Sequence, residues 1–416
     1  MRRAFIRHNL IMLVSLSVLL TGCWDREEIE EQAYVIGMGL DESKEKDKID
    51  VTFLIANPEV GSLQGGGGTN EPPSEIVTIT ASDFVSAKNT ANTVISRNIT
   101  YDFLQVIIVS EKLAKRKDFI RRIYSTTKDR EIRRSTYLGV SKEKASQFIN
   151  QLEPKLETRP HKYFQYTIRN SIEKGLIADA TLQRFFKITE LDADLFLGIY
   201  MTTEKNKKTK QANEDEYTAG QLDIQGKTNS SQVIGSAVFK EGRMIGKLTG
   251  EETRLSVLLS DEFEMSDVLT TYTDPFDSRY RITVRMMKDT SNQIEMDLKR
   301  TVPRVHIQIP LTLEVLSNPS MIDYTREKNK RILKKHLERV LEKEINDFIG
   351  QTQKKLKGSP FSLSLYARKH FRTLPEYSRF DWMKTYPNMN IRADVDITFG
   401  EFGKQTKTPN LKYLRD

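Results

Sequence analysis

The 416-residue chain holds one thiol, Cys23, and that side chain is the strongest soft nucleophile available to it. Its setting narrows the chemistry. Arg2, Arg3 and Arg7 form a positive head, Leu10 to Leu20 is an eleven-residue apolar run, and small Thr21 and Gly22 lead directly to the thiol. This order is that of an export signal. The run falls short of the roughly 20 apolar residues that span a bilayer, and charged Asp25-Arg26-Glu27-Glu28 follows at once. Other chemistry is thinly provided for. Beyond the signal the histidines are His161, His306, His336 and His370, and no two lie at metal-ligand spacing. HExxH, GxSxG and P-loop patterns are absent. The glycines Gly65 to Gly68 are followed by Pro72-Pro73 rather than by a helix start with Lys and Ser or Thr, so they read as slack chain. The acid pairs Glu251-Glu252 and Asp192/Asp194 read as caps or solvated charge. No catalytic residue, metal site or cofactor is expected, and a lone cysteine permits no intrachain disulfide.

Leu20-Thr21-Gly22-Cys23 resembles the lipobox of bacterial lipoproteins. That resemblance implies a diacylglyceryl group on the Cys23 sulfur and cleavage between Gly22 and Cys23, with N-acylation of the new terminus as a further option. Two acyl chains hold a protein to a membrane where one holds it only marginally. A tethered ectodomain follows. Taking Arg2, Arg3 and Arg7 from 65 basic residues leaves an excess of five over the 57 acidic ones. For an exported, anchored chain the natural counter-ion of this mild basic balance is an anionic membrane surface rather than nucleic acid. With 38% hydrophobic and 29% charged residues, the chain can bury ordinary cores under a well-solvated surface.

Length beyond the signal suits two or three domains. Ala33 to Leu40 and residues 49 to 55 predict two strands joined by a charged turn, and Ile76 to Ala81 a third. Helical spacing over 83 to 95, the apolar run Leu104 to Val109, a helix after Ser110, the strand Thr136 to Val140 and a helix from Ser141 give strand-helix alternation. Pro160 and Gly175 bound a further helix, and Leu195 to Thr202 is a strand. Residues 1–22 are then the signal peptide and 23–203 an N-terminal α/β region, with a division into two domains expected near 141–160. The polar stretch 204–231 is a charged linker or loop, its lysines offset by neighbouring acids. Residues 232–416 form a C-terminal α+β domain.

That domain opens with strands Val233 to Phe239 and Met244 to Leu248 around Lys240-Glu241-Gly242-Arg243. A capping box, Thr249 to Glu252, then starts a helix through Leu259. Strands at 280–286, 294–298 and 305–315 predict a mostly antiparallel sheet. The longest helix, 323–357, carries the stripe Leu333, Leu337, Leu341, Ile345, Phe348 and Ile349 and stops at Gly358. Its expected task is to cover the sheet of its own domain. Short helical turns over 361–386 and a last strand, Ile391 to Phe399, complete the domain.

Cys23-Trp24-Asp25-Arg26-Glu27-Glu28, running into Ala33-Tyr34-Val35-Ile36-Gly37-Met38-Gly39-Leu40-Asp41, resembles the opening of the Ger(x)C family, the lipoprotein C subunits of spore germinant receptors. The stretch from Gly235-Ser236-Ala237-Val238-Phe239 to Thr249-Gly250-Glu251-Glu252 resembles the start of that family's C-terminal domain. The resemblance implies three mixed α/β domains and a non-catalytic subunit of a nutrient germinant receptor. It also implies membrane-embedded A and B subunits as partners, on the outer face of the spore inner membrane. Only Cys23 carries over as a site residue, and no direct nutrient binding is expected. A solute-binding lipoprotein of a membrane transporter is the alternative, and an exported hydrolase a third reading.

Overall fold

The computed structural model describes residues 31–57, 72–191, 194–205, 215–262 and 268–402 in continuous stretches. Cys23, the 59–71 part of the Gly/Pro loop, the lysines at 207, 208 and 210 and the tail from 403 lie outside them. The first strand, β1 (Gln32–Glu42), is buried along nearly its whole length. Such a strand needs neighbours on both edges and layers on both faces, which explains its unbroken apolar run. β2 (Ile49–Ala56) and β3 (Ser74–Ala81) extend one edge as antiparallel neighbours. α1 (Phe84–Ala91) and β4 (Asn98–Thr100) lead to β5 (Val106–Ser110), and both of these strands run parallel to β1. α2 (Glu111–Ala114) and α3 (Phe119–Ile123) cross to β6 (Tyr137–Ser141). α4 (Ala145–Asn150), α5 (Pro160–Glu173) and α6 (Leu182–Leu191) cross to β7 (Phe196–Thr202). β8 (Gln232–Lys240) and β9 (Arg243–Leu248) then close the other edge as an antiparallel hairpin. Glu241 and Gly242 both take positive φ in its two-residue turn, as strand twist demands.

The sheet therefore runs across the stretch 204–231 and continues to Leu248. A ring cluster welds this late hairpin to earlier helices: Phe185 of α6 lies 5.1 Å from Phe196, 5.7 Å from Phe239 and 6.3 Å from Phe119. Each of these rings is almost wholly buried, so each contributes about 2–3 kcal/mol of apolar burial. Near 141–160, where a division is expected, β6 and β7 are adjacent in the same sheet. Ser141 ends β6 instead of starting a helix. The helix begins at Ala145, and Asp41 from the end of β1 accepts the Ala145 and Ser146 N–H groups at 2.8 and 2.9 Å.

α7 (Gly250–Leu259) leads into a second, five-stranded sheet: β10 (Val268–Thr273), β11 (Arg281–Met287), β12 (Gln293–Asp297), β13 (Arg304–Ser317) and, after the helices, β14. α8 (Glu327–Gln351) passes into a π-helical turn, and α9 (Leu363–Arg368), α10 (Leu374–Phe380) and α11 (Trp382–Thr385) precede β14 (Asn390–Phe399). Among the described strands of this second sheet, only β13 and β14 pair in parallel. The expected α+β architecture stands, with an antiparallel-rich C-terminal sheet under a long helix. The two sheets differ in strand number and order, so one lobe does not repeat the other.

The stripe on α8 is buried from Leu333 to Ile349, and its flank does a second job. Glu338, Glu342 and Asn346 accept the N–H groups of Ile397, Val395 and Ala393 at 3.0 to 3.2 Å. An edge strand that would otherwise offer free donors is thereby capped. The helix does not stop at Gly358. Lys357 takes the left-handed conformation, while a Cβ on Gly358 would stand 2.8 Å from Leu195. That glycine serves a close approach of the two halves.

Candidate functional site at the seam between the sheets

Cys23, the one site residue expected from the sequence, lies outside the described residues. The structure adds a constellation that sequence reasoning missed, centred on α7. The Thr249 hydroxyl accepts the Glu252 N–H at 3.1 Å and Glu252 returns to the Thr249 N–H at 3.0 Å, forming the expected capping box. From Thr253 to Leu259 every residue of α7 is buried. The reason is its place: Leu255, Leu258 and Leu259 share one core with Leu197, Val238 and Leu248 of the first sheet and with Ile282, Val284 and Ile307 of the second. A polar group on such a helix must find a partner inside the protein.

Arg254, 2% exposed, pairs with Asp215. Asp215 belongs to the polar stretch expected to be loose, and the chain around it is instead laid onto α7: the Asp215 and Tyr217 carbonyls accept the Glu251 and Gly250 N–H groups at 2.8 and 2.9 Å. Burial and the charge of Glu344 push Glu251 up to about 7. Burial also pushes Glu344, on α8, up to about 7 against the pull of Arg254, with Asp215 and Glu216 adding to the rise. Tyr272 of β10 is buried beside these groups, its hydroxyl without a hydrogen-bond partner. Glu251 is thus not the solvated charge its sequence position suggests. Its neighbour Glu252 is a cap, and Gln351 donates to it at 2.6 Å.

The far end of α7 is built differently. Lys288 reaches the Leu258 and Ser260 carbonyls at 3.0 and 2.7 Å and Asp261 at 2.8 Å, where a cation complements the helix terminus. Tyr366 also donates to Asp261. Glu262 accepts Lys187 at 2.7 Å and Arg184 at 3.2 Å from α6, and Ser362 at 2.9 Å from the C-terminal half. Burial opposes charge on both acids, but Asn292 and Lys288 for Asp261, and Lys187 and Ser362 for Glu262, outweigh it and hold both below the usual carboxylate range. Asp194 is a further buried acid: burial raises it to about 7, and Ser364 donates to it.

These groups lock the seam, and nothing in their arrangement forms a nucleophile with its base. His306 pairs with Asp394 at 2.7 Å across β13 and β14, and His336 bonds the Thr273 carbonyl at 2.9 Å. Among the described residues no group of three His, Cys, Asp or Glu is placed to hold a metal ion, and no helix is long and apolar enough to cross a membrane.

Two family descriptions match, and their halves meet near the seam. Residues 25–200 match the spore germination protein N-terminal domain, and residues 234–403 match the spore germination B3/GerAC-like C-terminal domain. The chain belongs to this spore germination family. Relatives include spore germination protein KC of Bacillus subtilis (strain 168), 23% identical over 93% of each chain. Spore germination protein GerQC of Bacillus cereus is 21% identical over 94% of this chain and 98% of its own. The crystal structure of the GerBC protein superposes with a TM-score of 0.52 at 17% identity, covering 89% of this chain and 99% of that one. The fold described above is shared with that protein.

Proposed function

We propose that this protein is a non-catalytic, lipid-anchored subunit of a nutrient germinant receptor. Its partners in this reading are the membrane-embedded A and B subunits, and it acts on the outer face of the spore inner membrane. The observation that supports it most is a family match over both halves of the chain, preceded by a lipobox whose cysteine is the only one present. Cys23, freed by cleavage after Gly22, carries the diacylglyceryl group. The ectodomain contributes surface and rigidity to the assembly and binds neither nutrient nor nucleic acid. Residues 23–203 and 232–416 act as two halves divided at 204–231 along the chain, although the 232–248 hairpin completes the first sheet. Intact-mass analysis of the protein from membranes tests the anchor. The expected mass is that of a chain starting at Cys23 plus a diacylglyceryl group. An unmodified Cys23 overturns the reading.

A further inference from the structure

The tether from Cys23 to Gln32 is nine residues long and reaches on the order of 30 Å even fully extended, so whatever surrounds Gln32 stands close to the bilayer. Gln32 begins β1, and Asn98 pairs with it. The Gln105 N–H donates to the Ile36 carbonyl and the Tyr137 N–H to the Gln105 carbonyl, which brings the loops before β5 and β6 to this same end of the sheet. The loop after α4 comes here too, since α4 starts against Asp41 at the opposite end and Leu152 and Pro154 line a cavity with Leu54 and Pro73.

Three large apolar side chains stand out from these separate loops: Val94 is 68% exposed, Phe103 50% and Leu156 104%. Phe103 is held at an angle, its ring 5.0 Å from Tyr34 and with the Arg133 guanidinium 5.8 Å over it. Arg130 and Arg133 are exposed. The acids nearby are already engaged: Glu131 with Lys88, Asp129 with the Glu131 N–H, and Asp102 with Thr100. Apolar and aromatic tips with flanking cations on one face suit the boundary of an anionic bilayer. The tether itself carries Asp25, Glu27, Glu28, Glu30 and Glu31 against Arg26, so its charge adds no attraction to such a surface and any attraction comes from the folded face.

We propose that this end of the first sheet is the face on which the protein rests on an anionic lipid surface, with Val94, Phe103 and Leu156 entering the headgroup layer and Arg130 and Arg133 meeting lipid phosphates. The inference rests on the Cys23 anchor. Its test uses the lipidated chain, its mass checked first, in vesicles of phosphatidylglycerol and phosphatidylethanolamine or of phosphatidylcholine alone. With Cys23 acylated, Val94→Cys, Leu156→Cys and, on the exposed side of α8, Lys335→Cys each supply one thiol for a nitroxide label, read by its collisions with a headgroup-chelated relaxant. Labels at 94 and 156 are expected in the headgroup layer of the anionic vesicles and the label at 335 in water. Arg130→Glu with Arg133→Glu is expected to lower that contact at least about fivefold for each arginine replaced. A chain without its acyl mass defeats the anchor and not the face. Lipidated chains whose labels at 94 and 156 stay in water, or touch lipid only when membrane protein partners are added, overturn the face. Equal contact with both vesicle types overturns the role of the arginines.

Discussion

At its N-terminal end α7 meets Asp215, Glu216, Glu251 and Glu344, with the Arg254 guanidinium among them. At its C-terminal end Asp261 and Glu262 meet Lys288, Lys187 and Arg184. Both clusters join the two halves of the molecule, but only the second has as many cations as its acids need. The first holds protons near neutrality, and the second holds full charges. A buried pair adds little net stability over an apolar seam, whereas loss of one member is severe. The two ends therefore differ most in how they respond to pH and to single substitutions.

The largest effect is expected at the acid-rich end. Arg254→Met leaves Asp215 buried without its partner and should cost about 3–5 kcal/mol in chemical denaturation. Adding Asp215→Asn should recover most of it, and a single-variant cost below about 1 kcal/mol would mean that this end is solvated. At the balanced end Lys288→Met should cost less, about 2–3 kcal/mol, because Asp261 keeps Asn292 and Tyr366 while the Leu258 and Ser260 carbonyls lose a donor.

The two ends also respond to pH in opposite senses. Glu251 and Glu344 have folded values near 7, above their usual 4.5. The native state then binds more protons between those values, and the stability these groups contribute is full below about 4.5 and lost as pH rises through 7. Asp261 and Glu262 work in the opposite sense: their contribution is present above the usual carboxylate range and is lost as pH falls through their lowered values. Denaturation midpoints of Glu251→Gln should change less between pH 6 and 8 than those of the wild type. The variant should be the more stable at pH 8 by on the order of 1 kcal/mol, since partial exposure screens the repulsion. The smallest change is expected for Lys187→Ala, below about 1 kcal/mol, because that ammonium is half exposed and Arg184 remains on Glu262.

What could be read from the sequence was short in range. The Thr249 box spans four residues, the Glu241-Gly242 turn two, and the α8 stripe only its own period, and each stands in the structure as expected. Helix α6 also carried a readable signal, with Leu182, Phe185 and Phe186 at i, i+3 and i+4. The cap that Asp41 lends to Ala145 spans 104 positions and the Arg254–Asp215 pair 39. No local pattern announces such pairings, because tertiary packing decides which surface residues become interior ones. The linker likewise looked loose because it lacks large apolar residues, yet backbone hydrogen bonds and one buried carboxylate fix the part from Asp215 on. Of the candidate sites, the proposed anchor rests on an ordered sequence motif alone, and the seam has no such motif.

A tethered subunit of a membrane receptor should carry its partners through affinity purification of the tagged protein from detergent-solubilised spore membranes, with mass spectrometry of what accompanies it. Two polytopic membrane proteins without an ATPase are the expected companions. A permease together with an ATPase would rule out the receptor role and place the protein with a transporter instead.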